Sequence, residues 1–160
     1  MLCARTGRRA DSAARRGSEL TVRVFYSPRI PAAAQTSGTG YKNLMAQDLG
    51  RMVLGGLVAR NNLDESLIDH IVMGTVIQEV KTSNIARESA LGAGLSDRIP
   101  AHTVTIACIS SNMAIATGVD KILAGQADVV IASGVETLSD VPIRHSRKMR
   151  QIMLDSRRCK

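Results

Sequence analysis

An α/β fold on a mainly parallel sheet is what this chain predicts, and three observations carry the prediction. Strand-like and helix-like segments alternate between residues 22 and 132, the order that lays helices over a sheet. Residues 129–132 are apolar without interruption, as a strand covered on both faces requires. With 160 residues and 44% hydrophobic content, the chain has room for one domain with a real core.

The elements follow in order. Residues 22–26 read as a short strand stopped by Pro28 and Pro31, and residues 32–40 as a loop of small residues. Met45, Leu49, Met52, Val53 and Leu57 recur at helical spacing and predict a helix over 44–60, ended by Asn61 and Asn62. Asp64 caps a short turn through Asp69, and the β-branched residues of 71–77 predict a strand. Thr82, Ser83 and Asn84 are candidate N-caps for a helix over 85–93, with Gly92 and Gly94 at its end. Pro100 introduces a strand over 102–107. The helix over 109–124, closed by Gly125, sets Ala114, Ala116 and Gly118 beside the stripe Ile115, Val119 and Ile122. Its neighbours must approach closely. After Glu136 no further strand is expected, and the basic run 144–150 reads as a solvated loop or helix face, with an anion site as the alternative.

Charge is segregated. The chain carries +7, with +5 in residues 1–30 and +6 in residues 144–160, so the 113 residues between them stand at −4. A basic pI therefore describes the ends and not the body. With one Phe and two Tyr, the aromatic platforms that nucleic-acid modules need for base stacking are missing, and no nucleic acid partner is expected. Cys3, Cys108 and Cys159 have neither paired nor metal-type spacing, so neither a disulfide framework nor a metal site is implied. No run approaches the roughly twenty apolar residues of a membrane-spanning helix. Residues 1–20, rich in Arg, Ala and Ser but holding Asp11 and Glu19, read as a basic tail or a mitochondrial transit peptide.

Cys108 is the candidate catalytic residue. It stands where an apolar strand meets a helix, and the positive end of a helix dipole favours thiolate over thiol. Residue type alone favours a packed core cysteine. Ser110, Ser111 and Asn112 weigh against that, because a buried helix has no need of three polar side chains in its first turn. Strand, cysteine and helix together have the form of the elbow that presents nucleophiles above a sheet.

The string Thr105-Ile-Ala-Cys108-Ile-Ser-Ser-Asn112, followed by Gly125-Gln-Ala-Asp-Val-Val-Ile-Ala-Ser-Gly-Val-Glu136 and Ser139, resembles the N-terminal nucleophile region of thiolases. The stretches 74–88 and 139–150 are similar to the mitochondrial long-chain branch of that family. The resemblance covers residues 41–154. It implies a layered α/β fold with a mixed sheet flanked by helices, and it implies 3-ketoacyl-CoA thiolysis in fatty-acid β-oxidation. Cys108 would attack the 3-keto carbon, hold the acyl group as a thioester while acetyl-CoA leaves, and pass the acyl group to a second coenzyme A. Coenzyme A and acyl-CoA are then substrates, and no bound cofactor is expected.

The same resemblance implies what is lacking. Thiolases take an activating histidine, a second cysteine acting as acid/base and a further histidine from C-terminal motifs that do not occur here. His70, His102 and His145 lie outside those motifs and read as surface or locally hydrogen-bonded residues. Residues 21–136 are expected to form part of the N-terminal domain and residues 137–160 the start of a basic loop insertion. The primary reading is an acyltransferase segment, inactive alone. The alternative is a non-catalytic segment that associates with a thiolase or a partner subunit, and a third reading docks residues 144–150 on an anionic membrane.

Overall fold

The computed structural model describes residues 2–6, 22–26, 35–139 and 141–158. Among these residues the elements run β1 (Leu2–Thr6), β2 (Val22–Tyr26), α1 (Ala46–Asn61), a 3-10 turn (Glu65–Leu67), β3 (His70–Gly74), α2 (Ile85–Gly92), β4 (Ala101–Val104), α3 (Ser110–Leu123), β5 (Val129–Gly134) and α4 (Arg147–Arg158). The stop at Pro28 and Pro31, residues 7–21 and Cys159 lie outside the described residues.

The strands form one sheet in the order β2-β1-β5-β3-β4. β5, β3 and β4 are parallel, while β1 runs antiparallel to both β5 and β2. The expected α/β sheet is therefore present, parallel from β5 to the β4 edge and antiparallel on the side of β1 and β2. Leu2–Thr6, within the segment read as a tail or transit peptide, pairs along both its edges.

Side-chain alternation divides the sheet into two packed faces. Ile71, Met73 and Ile131 point to α1 and α2 and share a core with Leu54, Leu57, Ile85 and Ala90. Val72, Val130 and Ala132 point the other way, onto Ala114 and Ile122 of α3. The chain thus crosses from β3 to β4 over one face through α2. It returns past β3 to β5 over the other face through α3. Such a reversal opens a crevice at the carboxyl ends of the strands, where α/β proteins bind ligands.

One helix face and two strand ends differ from the sequence reading for local reasons. In α1 the buried positions are Ala46, Gly50, Leu54 and Leu57; of the expected stripe Leu57 is buried, while Met45 and Leu49 are only half-buried and Met52 is 57% exposed. Gly50 explains the rotation: a Cβ there would collide with Ser89 Oγ of α2, so the small residues of α1 make the helix contact. β3 ends at Gly74 and not at Ile77, because the amides of Val76 and Ile77 donate to the Glu136 carboxylate instead of to a strand. β4 ends at Val104 and not at Ala107, where the backbone turns to a φ of 51°.

The caps fell where the sequence placed them. Asn84 Oδ1 accepts from Arg87 N at 3.1 Å and from Thr103 Oγ1 at 2.9 Å, which ties the start of α2 to β4. Asp64 Oδ1 accepts from Ser66 N at 3.0 Å. Beyond the sheet, the basic run expected as a solvated loop or helix face leads into a helix over Arg147–Arg158, and the described side chains of α4 are all exposed. Among the described residues no helix is long and apolar enough to cross a membrane.

Candidate active site

Cys108 lies in the two-turn link between β4 and α3 and is exposed. Ala107 before it takes the left-handed backbone region, a conformation that disfavours L-residues by about 1–2 kcal/mol. Local hydrogen bonds hold it there. Ser110, 3% exposed, accepts the amide of Ile106 at 2.9 Å and donates its hydroxyl proton to the Ala107 carbonyl at 2.6 Å. The Ser110 amide donates to the same carbonyl at 3.1 Å. One buried hydroxyl therefore closes the loop that presents the thiol.

Two glycines let α3 begin this close to the sheet. Gly74 and Gly134 are register partners at the ends of β3 and β5. A Cβ on Gly74 would run into the Ser110 carbonyl and the Ser111 amide, and one on Gly134 would run into the Ser111 side chain. Farther along, a Cβ on Gly118 would stand 3.1 Å from Val130 Cγ1. The close approach expected of this small-residue helix is present, on the face of Ser110, Ala114, Gly118 and Ile122. The expected stripe through Ile115 and Val119 lies on its flank.

The loops after β3, β4 and β5 enclose an open cavity of about 400 Å³, lined by Thr75, Val76, Ala107, Cys108, Ser111 and Glu136 among others. The thiol stands just before a 14-residue helix, at the positive end of its dipole. Thr75 is 2% exposed, and its Oγ1 has no hydrogen-bond partner among the described residues. Among those residues no group of three or more His, Cys, Asp and Glu is placed to hold a metal ion.

The histidines are elsewhere. His70 begins β3 and His102 lies on β4, with His70 Nε2 and His102 Nδ1 2.7 Å apart and the rings edge to face. Burial, the Lys121 ammonium and the His102 ring together push His70 down to about 4, and burial and Lys121 lower His102 as well. Both thus form a local hydrogen-bonded pair at the amino end of the strands, away from Cys108. His145 is exposed just before α4. Sequence reasoning passed over Gly74, Ser110, Gly134 and Glu136 as site residues. The signal was a glycine ending each of two strands, since Cβ-free positions at strand ends mark close approach.

Comparison with known proteins agrees with this geometry. Residues 26–159 match the model of the thiolase N-terminal domain. The chain is 63% identical over 137 residues to the mitochondrial trifunctional enzyme subunit beta of Rattus norvegicus, covering 86% of this chain and 28% of that protein. It is 39% identical over 134 residues to a 3-ketoacyl-CoA thiolase of Aeromonas salmonicida, covering 84% and 30%. Among solved structures it resembles the acetyl-CoA acetyltransferase of Bacillus anthracis, with a TM-score of 0.67 and 32% identity over 71% of this chain and 29% of that one. The chain therefore spans under a third of the length of these relatives. A parallel β3-β4-β5 sheet, a cysteine raised at the start of α3 and these matches together place the chain in the thiolase family, within its N-terminal domain.

Proposed function

We propose that this chain carries the nucleophile of a 3-ketoacyl-CoA thiolase, an acetyl-CoA C-acyltransferase of fatty-acid β-oxidation, with Cys108 as the acyl-accepting residue. The observation that carries the reading is the exposed Cys108 thiol at the rim of the strand-end cavity. Its sulfur attacks the 3-keto carbon, and the charge that develops on the tetrahedral oxygen needs backbone N–H donors beside it. The carbon–carbon bond then breaks, the acyl group stays on sulfur, and the departing acetyl-CoA carbanion takes a proton. The thiol of a second coenzyme A opens the thioester.

That proton needs an acid, and the hydrogen-bonded His70–His102 pair belongs to the opposite end of the strands. These 160 residues alone are therefore expected to thiolyse a 3-ketoacyl-CoA far more slowly than a full-length thiolase; thiolysis at full-length rates overturns this. The nucleophile is tested by iodoacetamide labelling at neutral pH, read by peptide mass spectrometry. Cys108 is expected to react ahead of Cys3 and Cys159, and equal rates at all three overturn the reading.

Partners and place follow the relatives. A mitochondrial setting is inferred from the trifunctional enzyme subunits. The alternative reading, a non-catalytic segment, rests on β4 at the sheet edge and on exposed Met113 and Leu123 along α3. Both suit pairing with a second thiolase copy or with the trifunctional-enzyme α subunit, which co-purification tests. Peripheral membrane contact rests on α4, where Met149, Ile152 and Met153 share a face and Arg147, Lys148 and Arg150 surround it. Unchanged sedimentation with anionic vesicles after those three charges are neutralised would count against it.

A further inference from the structure

Among the described residues Glu136 is the one acidic side chain lining the cavity that holds Cys108, and its carboxylate is committed to the backbone of another loop. Oε2 accepts the Val76 amide at 2.6 Å and the Ile77 amide at 3.2 Å. Beside it the Val135 amide donates to the Gly74 carbonyl at 3.0 Å. The loop so gripped reaches onward to the nucleophile. Thr75 N donates to the Val104 carbonyl at 3.2 Å, and Gln78 Nε2 donates to Thr105 Oγ1 at 2.8 Å. Thr105 adjoins Ile106, whose amide is bound by Ser110. A continuous run of hydrogen bonds thus links the exits of β5, β3 and β4, and Glu136 is its first link.

We infer that Glu136 is a positioning residue, whose carboxylate clamps the loop after β3 against the end of β5 and so sets the rim around Cys108. The inference rests on Cys108 as the nucleophile, because what the rim positions is the space beside that thiol. Chemistry fits the residue type. Two amides on neighbouring residues converge on one oxygen at the end of a reach of two methylenes, and a charged acceptor makes the stronger bonds. Asp is one methylene short. Gln keeps the oxygen and loses the charge.

Amide exchange and Cys108 alkylation, measured together on this chain, test it. In Glu136→Ala the Val76 and Ile77 amides are expected to exchange roughly tenfold faster, as two lost charge-assisted bonds require. The iodoacetamide rate at Cys108 is expected to change about threefold or more, while Ile71, Val72 and Ile131 amides stay protected and report a folded sheet. Glu136→Gln, which keeps the oxygen without the charge, is expected to fall between alanine and wild type in both readouts, and Glu136→Asp, which serves if the alanine variant unfolds, to behave like alanine. Wild-type exchange and alkylation in a folded Glu136→Ala, or a Glu136→Gln that behaves like alanine, overturns the inference. Equal labelling of Cys3, Cys108 and Cys159 in the wild type would instead remove the nucleophile, and the exchange result would still decide the clamp.

Discussion

On the α1 and α2 face, Leu54, Leu57, Ile71, Met73, Ile85 and Ile131 fill the interior with large aliphatic side chains. On the α3 face, Val72, Val130 and Ala132 meet Ala114, Gly118 and Ile122. The first face gains its stability from buried volume. The second brings a helix near enough for its first turn to rest on Gly74 and Gly134. One face holds the domain together, and the other sets where the thiol stands.

Emptying the first face should therefore harm stability and spare the thiol. Leu54→Ala, at a fully buried position, is expected to lower unfolding free energy by about 2–5 kcal/mol in urea titration, with Cys108 alkylation in native buffer unchanged. Crowding the second face should do both. Gly74→Ala forces α3 off the sheet and is expected to destabilise by about 1–3 kcal/mol while altering the Cys108 alkylation rate. A destabilised Gly74→Ala with wild-type alkylation would break the comparison. Ser110→Ala is expected to lower stability by about 1 kcal/mol and to speed amide exchange at Ile106, whose partner it removes.

The smallest effect concerns acid. His70 is pushed down to about 4 in the folded chain from the ordinary histidine value of 6.5, and His102 is lowered too. Between those pH values the unfolded chain binds more protons, so stability rises with pH across the window. The contribution is complete above about 6.5 and is lost as pH falls toward 4. One added proton leaves a donor facing an acceptor across the 2.7 Å contact, but a second sets two N–H groups against each other. His102→Asn is expected to flatten the pH dependence of the urea midpoint. Cys108 alkylation compared at fixed pH should not change, since the pair lies at the other end of the strands.

Much of this was legible in the residues. The α/β class, the cap at Asn84 and the strand-to-helix seam at Cys108 are local signals, set by turn chemistry and apolar runs. The buried face of α1 was not legible, because Gly50 faces inward only on account of Ser89, 39 positions later. The ends of β3 and β4 were missed for a similar reason: a carboxylate at Glu136 and a hydroxyl at Ser110 take amides that β-propensity assigns to a ladder. Helix α4 was legible only as one of two readings of residues 144–150, and its extent to Arg158 was hidden by its charge. Met149, Ile152 and Met153 are too few to stand out among the Arg and Lys around them.

The position of β3 between β5 and β4 governs when the cavity can exist. Ile71 pairs with Ala101, 30 residues on, and Val72 pairs with Ala132, 60 residues on. Closing the second loop costs only about 0.6 kcal/mol more than the first, but it comes last in a chain made from its amino end. During synthesis Cys108 is therefore exposed beside an unfinished rim until residues 129–136 have emerged. For that interval the thiol has no finished pocket, and the last of the described strands to be made is the one that completes it.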